Sequence, residues 1–282
     1  MNGFVIVNKP VGLSSHQVVS RARKILNTRK IGHNGTLDPF ASGLLILSVG
    51  EYTKYIPYLP QSPKQYTATL KLGEYTDTWD NEGVISQYMP IPSLNQNQIL
   101  QALSKVQSMT SQQIPAFSAK RHDGKRLYDY ARNNEEAPTF YKPVQINALE
   151  LISFDETCIQ FRTCVSSGTF IRTMGQDIAK ALNTCGHLTH LQRTAVGHIH
   201  LSHSQNLESP LIFSSTPLDH IPCLTLDDKA IEKLCHGQSV THHDIAPDLY
   251  RLFNQAQVFL GLVEIDNQYI RVKRMNNTQN IL

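Results

Sequence analysis

Apolar and polar residues alternate along several short segments of the chain, which predicts strands buried on one face. The clearest case is residues 66–72, where every second side chain is apolar. Residues 4–7 and 43–49 are continuous apolar runs, as found in strands buried on both faces. Further strands are predicted near residues 113–121, 143–153 and 157–166.

Three other segments place apolar side chains three and four residues apart, which is the spacing of an amphipathic helix. A serine at position 14 or 15 is suited to cap the first helix, and Thr169 is suited to cap the third. The predicted helices cover residues 14–27, 95–106 and 169–185.

These elements do not alternate in a strict strand-helix-strand order, so the predicted class is α+β with a mixed, mostly antiparallel sheet and packed helices. The glycine-rich segment 31–42 is predicted to be irregular. The acidic segment 73–83 is predicted to be a solvated turn.

A polar stretch rich in serine and proline, residues 202–218, has no periodicity and predicts a domain boundary. The predicted domains are a catalytic unit, residues 1–215, and a small β-rich unit, residues 219–282. Strand-like runs at 258–265 and 269–272 support the second unit.

Composition narrows the possible settings. The 282 residues contain five cysteines but no C-x-x-C pair, which argues against a disulfide framework and favours the reducing cytoplasm. No apolar run approaches the ~18 residues of a membrane helix, so no membrane partner is expected.

Positive charge is concentrated at the start of the chain. Residues 1–72 carry nine lysines and arginines against two acidic residues, although the whole chain has a net charge of only +3. A basic region of this kind suits a polyanionic partner such as RNA. The alternative is a solvated surface whose charges are clustered without function.

The usual signatures of nucleotide cofactors and of hydrolases are missing from the sequence. Neither His198, His200 and His203 nor the cysteines and histidines of the tail have the spacing of a structural zinc site, and surface histidines are the simpler interpretation. We therefore expect neither a metal nor a cofactor.

The segment KIGHNGTLDPFASG, residues 30–43, crowds glycines and a proline around His33 and Asp38. Such a loop can present side chains at a cleft while the backbone turns sharply. It can equally be a rigid loop in which Asp38 caps a turn. The residues alone do not decide between these interpretations.

The motif HNGTLDPFASGLL, residues 33–45, closely resembles the catalytic motif of the TruB family of tRNA pseudouridine synthases. The resemblance extends in family order over about 200 residues. The matching segments are VNKPVGLSS (7–15), GEYTK (50–54), KQY (64–66), GEYTDTWDNEG (73–83), PAFSAKRHDGKRLYDYAR (115–132), SSGTFIRTMGQDI (166–178) and HLTHLQRTAVG (187–197).

This resemblance implies a sheet of the pseudouridine synthase type and a PUA-like RNA-binding domain at the C-terminus. It implies isomerisation of uridine 55 in the T-loop of tRNA, with base flipping and without a cofactor. The expected partner is the T-arm stem-loop. We expect a monomer, because no long apolar interface stripe is visible in the sequence.

The resemblance also implies roles for individual residues. Asp38 matches the essential aspartate, Tyr66 the aromatic residue that stacks on the flipped uracil, and Arg172 the arginine that pairs with the aspartate. Without the resemblance, Tyr66 would be ordinary core packing and Arg172 a surface charge. The residues implied to bind RNA or line its path are His33, Lys54, Lys120, Leu191 and Arg193.

Two positions depart from the family pattern, since Phe170 replaces a frequent tyrosine and Gln192 a frequent arginine. Two other functions stay open at this stage. One is an RNA-binding module in which catalysis is secondary or lost. The other is a glycosidase or nucleosidase, which would need a second carboxyl group that the sequence does not place beside Asp38.

Overall fold

The structure, a computed structural model, describes most of the chain. No helix among the described residues is long and apolar enough to cross a membrane. The described residues are 1–118, 121–122, 125–126, 130, 139–208, 212–213, 215–241, 245–266 and 268–277.

Strands make up most of the regular structure in this part of the chain. In chain order they are β1 (Gly3–Lys9), β2 (Ile31–Asn34), β3 (Ser42–Val49), β4 (Lys64–Leu72), β5 (Glu74–Thr76), β6 (Ile85–Tyr88), β7 (Ser111–Gln113), β8 (Arg121–His122), β9 (Lys125–Arg126), β10 (Tyr141–Pro143), β11 (Ile146–Phe154), β12 (Cys158–Val165), β13 (Gly186–Val196), β14 (Ile199–His200), β15 (Cys223–Thr225), β16 (Val240–Thr241), β17 (Leu249–Phe253), β18 (Phe259–Asp266) and β19 (Tyr269–Met275).

The α-helices are amphipathic, and two of them begin with a capping box, in which the cap side chain and the third helical residue bond each other's backbone. Ser14 caps the first helix and Asn95 the second. The described α-helices are α1 (Ser15–Ile25), α2 (Gln96–Gln107), α3 (Ile171–Ala181) and α4 (Asp228–Cys235).

The main sheet has the order β1-β3-β13-β4-β12-β11, with β2 added to β3 and β14 to β13. Its pairs are antiparallel except for a short parallel contact between β13 and β3. Helices α2 and α3 pack on β4, β11, β12 and β13 over the largest apolar cluster. A second apolar cluster lies between α1 and strands β1 and β3.

A five-stranded sheet, ordered β15-β17-β18-β19-β16, forms the C-terminal part and packs on α4. It does not stand apart from the main sheet. Phe259 packs against the rings of Tyr52 and Tyr55, with centroids 6.1 and 5.5 Å away. The Tyr55 hydroxyl also contacts Asn276 Oδ1 at 2.7 Å. An aromatic cluster therefore joins the two sheets.

The predicted α+β class with a mostly antiparallel sheet and a β-rich C-terminal part is confirmed. The boundary between residues 215 and 219 stays a proposal.

Three local predictions were wrong. Residues 31–34 form β2, because β13 pairs with β3 only at Ser42 and Gly43 and leaves the rest of that edge of β3 to β2. Residues 114–118 are not a strand, and Pro115 has no N–H for a ladder. Thr169 does not cap α3; its hydroxyl donates to the carbonyl of Ser166 at 3.0 Å.

Candidate active site

A cleft of about 200 Å³ opens between the loop after β2, strand β4 and the start of α3. Sites for drug-sized ligands begin at roughly 300 Å³, so this cleft suits a group of one-ring size. Side chains that line it are those of Asp38, Lys64, Tyr66, Ser118, Phe170, Arg172 and Leu191.

Asp38 lies in a turn that is anchored on both sides. Its carbonyl accepts a hydrogen bond from the Ala41 N–H at 3.1 Å. Leu37 and Phe40 are buried, and the Leu37 N–H donates to Ser15 Oγ at 2.9 Å. These anchors fix the backbone, whereas the Asp38 side chain remains 40% exposed at the mouth of the cleft.

Lys9 supports the same turn from the interior. Burial lowers the pKa of this lysine to about 8, and the charge of Asp38 opposes that shift. Its ammonium group donates to three backbone carbonyls, those of Pro10 (3.0 Å), Leu13 (2.5 Å) and Pro39 (3.3 Å). The end of β1 is thereby tied to the residue that follows Asp38.

Arg172 is buried at the start of α3 and faces two carboxylates. Its Nε lies 3.0 Å from Asp38 Oδ2, and its Nη1 lies 3.3 Å from Asp80 Oδ2. Its remaining donors bond the carbonyls of Thr78 (2.8 Å) and Phe117 (2.9 Å). The Asp38 contact lacks hydrogen-bond alignment, so that carboxylate is held by charge and keeps freedom to turn toward a ligand.

Asp80 is a site residue that sequence reasoning missed, because segment 73–83 was interpreted as a solvated turn. That interpretation was wrong: the Asp80 side chain is only 4% exposed. Burial raises its pKa, while the Thr78 hydroxyl, which donates to Oδ1 at 2.6 Å, and the Arg172 charge oppose the rise. The signal that could have revealed it is Trp79, a large apolar residue in a segment taken as solvated.

Tyr66 forms the floor of the cleft and packs in the main apolar cluster. Tyr66 is therefore part of the core, and its stacking on uracil stays a prediction. Burial raises the pKa of its hydroxyl, and the guanidinium of Arg193, which hydrogen-bonds the hydroxyl, opposes the rise. Arg193 also donates to the carbonyls of Leu44 (2.8 Å) and Gly35 (3.1 Å).

Gly43 explains how Arg193 reaches this position. The glycine has φ +109°, and a Cβ there would lie 2.3 Å from the Arg193 carbonyl oxygen. Only glycine allows β3 and β13 to approach so closely. The close contact brings the buried guanidinium behind Tyr66.

Sequence comparison connects this arrangement to a known family. The profile of the TruB family pseudouridylate synthase (N terminal domain) matches residues 23–171. The profile of Pseudouridine synthase II TruB, C-terminal, matches residues 222–275. The chain belongs to the TruB family. Its enzyme class is therefore that of a pseudouridine-forming isomerase.

Relatives in the TruB family cover nearly the whole chain. A tRNA pseudouridine synthase B from Hydrogenovibrio crunogenus is 36% identical over 98% of this chain and 94% of its own. One from Chromobacterium violaceum is 37% identical over 94% of this chain and 90% of its own.

Solved structures support the same fold at lower identity. A chain of an H/ACA RNP bound to a substrate RNA containing 2′-deoxyuridine aligns with TM-score 0.69 and 20% identity, covering 99% of this chain and 86% of its own. A chain of a Cbf5-Nop10-Gar1 complex aligns with TM-score 0.68 and 21% identity, covering 97% and 84%.

Four of the residues predicted from the TruB resemblance meet at the cleft, namely Asp38, Tyr66, Arg172 and Leu191. Arg172 is not the surface charge that its helix position alone suggested. Arg193 does not have the exposed position expected of an RNA contact: it is 1% exposed and is committed to Tyr66 and backbone carbonyls.

Two of the other predicted RNA-binding residues, His33 and Lys54, lie outside the cleft lining. His33 is half-buried in β2 with its ring 6.0 Å from that of His16, and burial lowers its pKa. Lys54 pairs with Glu51 and donates to the Met275 carbonyl of the C-terminal sheet. Lys120 lies outside the described residues.

Phe170, one of the two departures from the TruB pattern, lines the cleft at the start of α3. Its backbone is held by the Gln112 amide, which accepts from the Phe170 N–H at 2.8 Å and donates to its carbonyl at 2.9 Å. This pair of bonds positions the first turn of the helix and hence Arg172. It does not require a hydroxyl at position 170.

No group of three or more histidine, cysteine, aspartate or glutamate side chains is placed to hold a metal ion within the described ranges. The absence of a metal and of a cofactor stays a prediction.

Proposed function

We propose that the chain isomerises uridine to pseudouridine at position 55 in the T-loop of tRNA, without a cofactor. The observation that carries the proposal is the exposed carboxylate of Asp38, held by the buried Arg172 guanidinium in a one-ring cleft above Tyr66. The names of the relatives, tRNA pseudouridine synthase B, support tRNA as the substrate.

The proposed reaction includes flipping of the uridine out of the RNA stack, and the small size of the cleft supports this step. A base inside a structured loop cannot reach Asp38, so it is flipped out before reaction. The Tyr66 ring supplies a stacking surface, which is worth about 1–3 kcal/mol per base and offsets part of the unstacking cost.

The chemistry begins with cleavage of the bond between N1 of uracil and C1′ of the sugar. Positive charge develops at the sugar, and an ionised Asp38 stabilises it, forms a covalent adduct or removes a sugar proton. All three routes need the carboxylate form, and the Arg172 guanidinium lies beside that carboxylate in the structure. The freed uracil then turns and bonds to C1′ through C5, which afterwards loses its proton.

Tyr66 suits stacking better than proton abstraction. Burial raises the pKa of its hydroxyl, so the phenol is protonated at neutral pH in the free protein. Arg193, which contacts that hydroxyl, orients the ring. Because Arg193 is buried against Tyr66, we assign the T-arm contact to His33, which lies in β2 just before the loop of Asp38, and to Leu191, which lines the cleft.

The basic segment 1–72, with a net charge of +7, suits the phosphate backbone of the T-arm stem-loop. The C-terminal sheet is assigned as a second RNA-binding unit, and the chain as a monomer on its RNA.

The test is to incubate the purified protein, treated with a chelator, with an unmodified T-arm stem-loop and to map pseudouridine by nucleoside analysis. We expect product at the T-loop uridine with the wild type and a rate at least ~10³-fold lower with Asp38→Asn, because the ionised carboxylate is lost. Asp228→Asn, an exposed position on α4, serves as the matched control and should keep full activity.

The same assay separates the two alternatives. Release of free uracil would indicate a nucleosidase, which needs a second carboxylate. The Asp80 carboxylate is buried and bound to Arg172 and Thr78, which does not favour that role. Tight RNA binding by wild type and Asp38→Asn without product from either would indicate an RNA-binding module and would contradict the proposed reaction.

A further inference from the structure

Lys64 is a buried lysine in the cleft for which the proposed reaction gives no role. It is the first residue of β4 and only 9% exposed. Alternate strand residues share a face, so its side chain lies on the same side of β4 as that of Tyr66. Both side chains line the cleft.

The ammonium group of Lys64 has little to neutralise it. Its one hydrogen-bond partner among the described residues is Ser167 Oγ, at 3.4 Å, which is long for an N–H···O bond. No carboxylate in the described part of the chain pairs with it. A buried charge without an opposite charge is costly and is ordinarily paired.

Among the described residues, the charged groups that act on Lys64 are the cations Arg193 and Lys142. A Cβ at Gly35 would lie 3.4 Å from Lys64 Nζ and 3.5 Å from Arg193 Nη1, so both groups reach the same side of that glycine. Burial lowers the pKa of Lys64 to about 8, and the charges of Arg193 and Lys142 add to the shift. Arg193 itself bonds only neutral groups among the described residues.

Two buried cations that lack an anion form a site that an anion would complete. Under the proposed function the ligand is the target uridine, and the anions that accompany it are the phosphates of the RNA backbone. Positions two apart in a strand are about 6.6 Å apart, a span comparable to that between a uracil ring and the phosphate of its own nucleotide. A base on Tyr66 would thus carry its phosphate toward Lys64.

We infer that Lys64 binds a phosphate group flanking the flipped target nucleotide and thereby fixes the height of the base over Tyr66. The inference rests on the proposed function, since it takes the phosphate from the RNA substrate. It gives Lys64 a substrate-binding role that is separate from the Asp38–Arg172 pair.

The first test is the stability of the free protein with Lys64→Met. Methionine has similar volume and no charge, so a lysine kept for substrate binding should be replaced without loss. We expect an unchanged or higher thermal midpoint. A clear fall in the midpoint would show that Lys64 is a structural residue and would overturn the inference.

The second test uses T-arm stem-loops that carry an uncharged methylphosphonate at the phosphate 5′ or 3′ to the target uridine. With the wild type, one of the two substitutions should weaken binding roughly tenfold to a hundredfold, the loss expected for a charge-assisted hydrogen bond. Lys64→Met should show the same loss with unmodified RNA and no further loss with that methylphosphonate. Its salt dependence should be shallower by about 0.7–0.9 in the log–log slope.

Lys71→Met is the matched control, because Lys71 lies on the opposite face of β4 and pairs with Glu74. It should keep the full methylphosphonate loss. Lys64→Arg retains the charge and should retain the sensitivity in part. If each methylphosphonate weakened RNA binding by Lys64→Met as much as it weakens binding by the wild type, the inference would be overturned.

Wild-type turnover separates the two proposals. No pseudouridine from the wild type overturns the proposed function, whereas normal turnover with additive losses overturns the role of Lys64 alone.

Discussion

The two sides of the cleft hold their buried cations in opposite ways. On one side Arg172 meets two carboxylates and two carbonyls, so its charge is matched within the protein. On the other side Lys64 and Arg193 meet only neutral partners among the described residues. The charge of Arg172 is balanced in the free protein, whereas the charges of Lys64 and Arg193 are balanced only when an anion binds.

This difference separates two requirements of a catalytic site. The side that carries Asp38 has its charged partner, Arg172, built into the protein, which preorganises it before RNA binds. The side that must recognise RNA keeps unmatched positive charge at some cost in stability.

The largest effect is expected from Arg172→Leu, which leaves the Asp80 carboxylate buried without its partner. The free energy of unfolding should fall by about 3–5 kcal/mol, measured by urea denaturation, and pseudouridine formation should be lost. Adding Asp80→Asn should restore part of the stability but no activity. If Arg172→Leu alone were as stable as the wild type, the ion pair between Arg172 and Asp80 would not stabilise the fold, and the prediction would be wrong.

An intermediate effect is expected from pH. The folded pKa of Lys64 is lowered to about 8, so between about pH 8 and 10.5 the unfolded chain holds more protons at this residue than the folded one. Stability attributable to Lys64 therefore rises with pH across that window. The wild type should gain stability relative to Lys64→Met from pH 7.5 to 10.5, measured by denaturation. Lys9, also with a pKa of about 8, is present in both proteins and cancels. A constant difference would contradict the prediction.

The smallest effect is expected from Ser167→Ala, which removes the 3.4 Å contact of Lys64. Stability should change by less than about 0.5 kcal/mol, and affinity for the T-arm stem-loop by less than twofold. Thr163→Ala is the comparison, because its buried hydroxyl donates to the Ala148 carbonyl at 2.8 Å and its loss should cost about 1 kcal/mol. A larger loss for Ser167→Ala than for Thr163→Ala would show that Lys64 is held by the protein rather than kept for a ligand.

Features fixed by neighbouring residues were predictable from the sequence. The alternation in β4 predicted the buried face directly. The predicted helix starts, at Ser14 or Ser15 and at Asn95, agree with α1 and α2, which Ser14 and Asn95 cap in the structure. The cap predicted at Thr169 failed for a reason outside the helix, since the Gln112 amide holds the Phe170 backbone instead.

The site itself was predictable only in part. The resemblance paired Arg172 with Asp38, but Asp80 was taken as solvated, because nothing within the acidic segment shows that an arginine 92 positions later reaches it. Arg193 was predicted to contact RNA. Its burial depends on the close approach of Gly43 in another strand, which the sequence around Arg193 does not show. Lys64 was passed over for the same reason: its missing anion is a property of three-dimensional surroundings.

The aromatic contact between the two sheets has a consequence for how the chain can be divided. Phe259 and Leu262 of the C-terminal sheet complete the apolar cluster that contains Phe4 of the main sheet and Tyr52 and Tyr55 of the 3-10 helix Gly50–Tyr58 after β3. Cutting the chain ahead of the C-terminal sheet would expose those rings to water and leave an adhesive patch beside the first strand. The C-terminal sheet therefore covers part of the hydrophobic core of the catalytic unit. We expect the C-terminal sheet and the catalytic unit to unfold in one thermal transition.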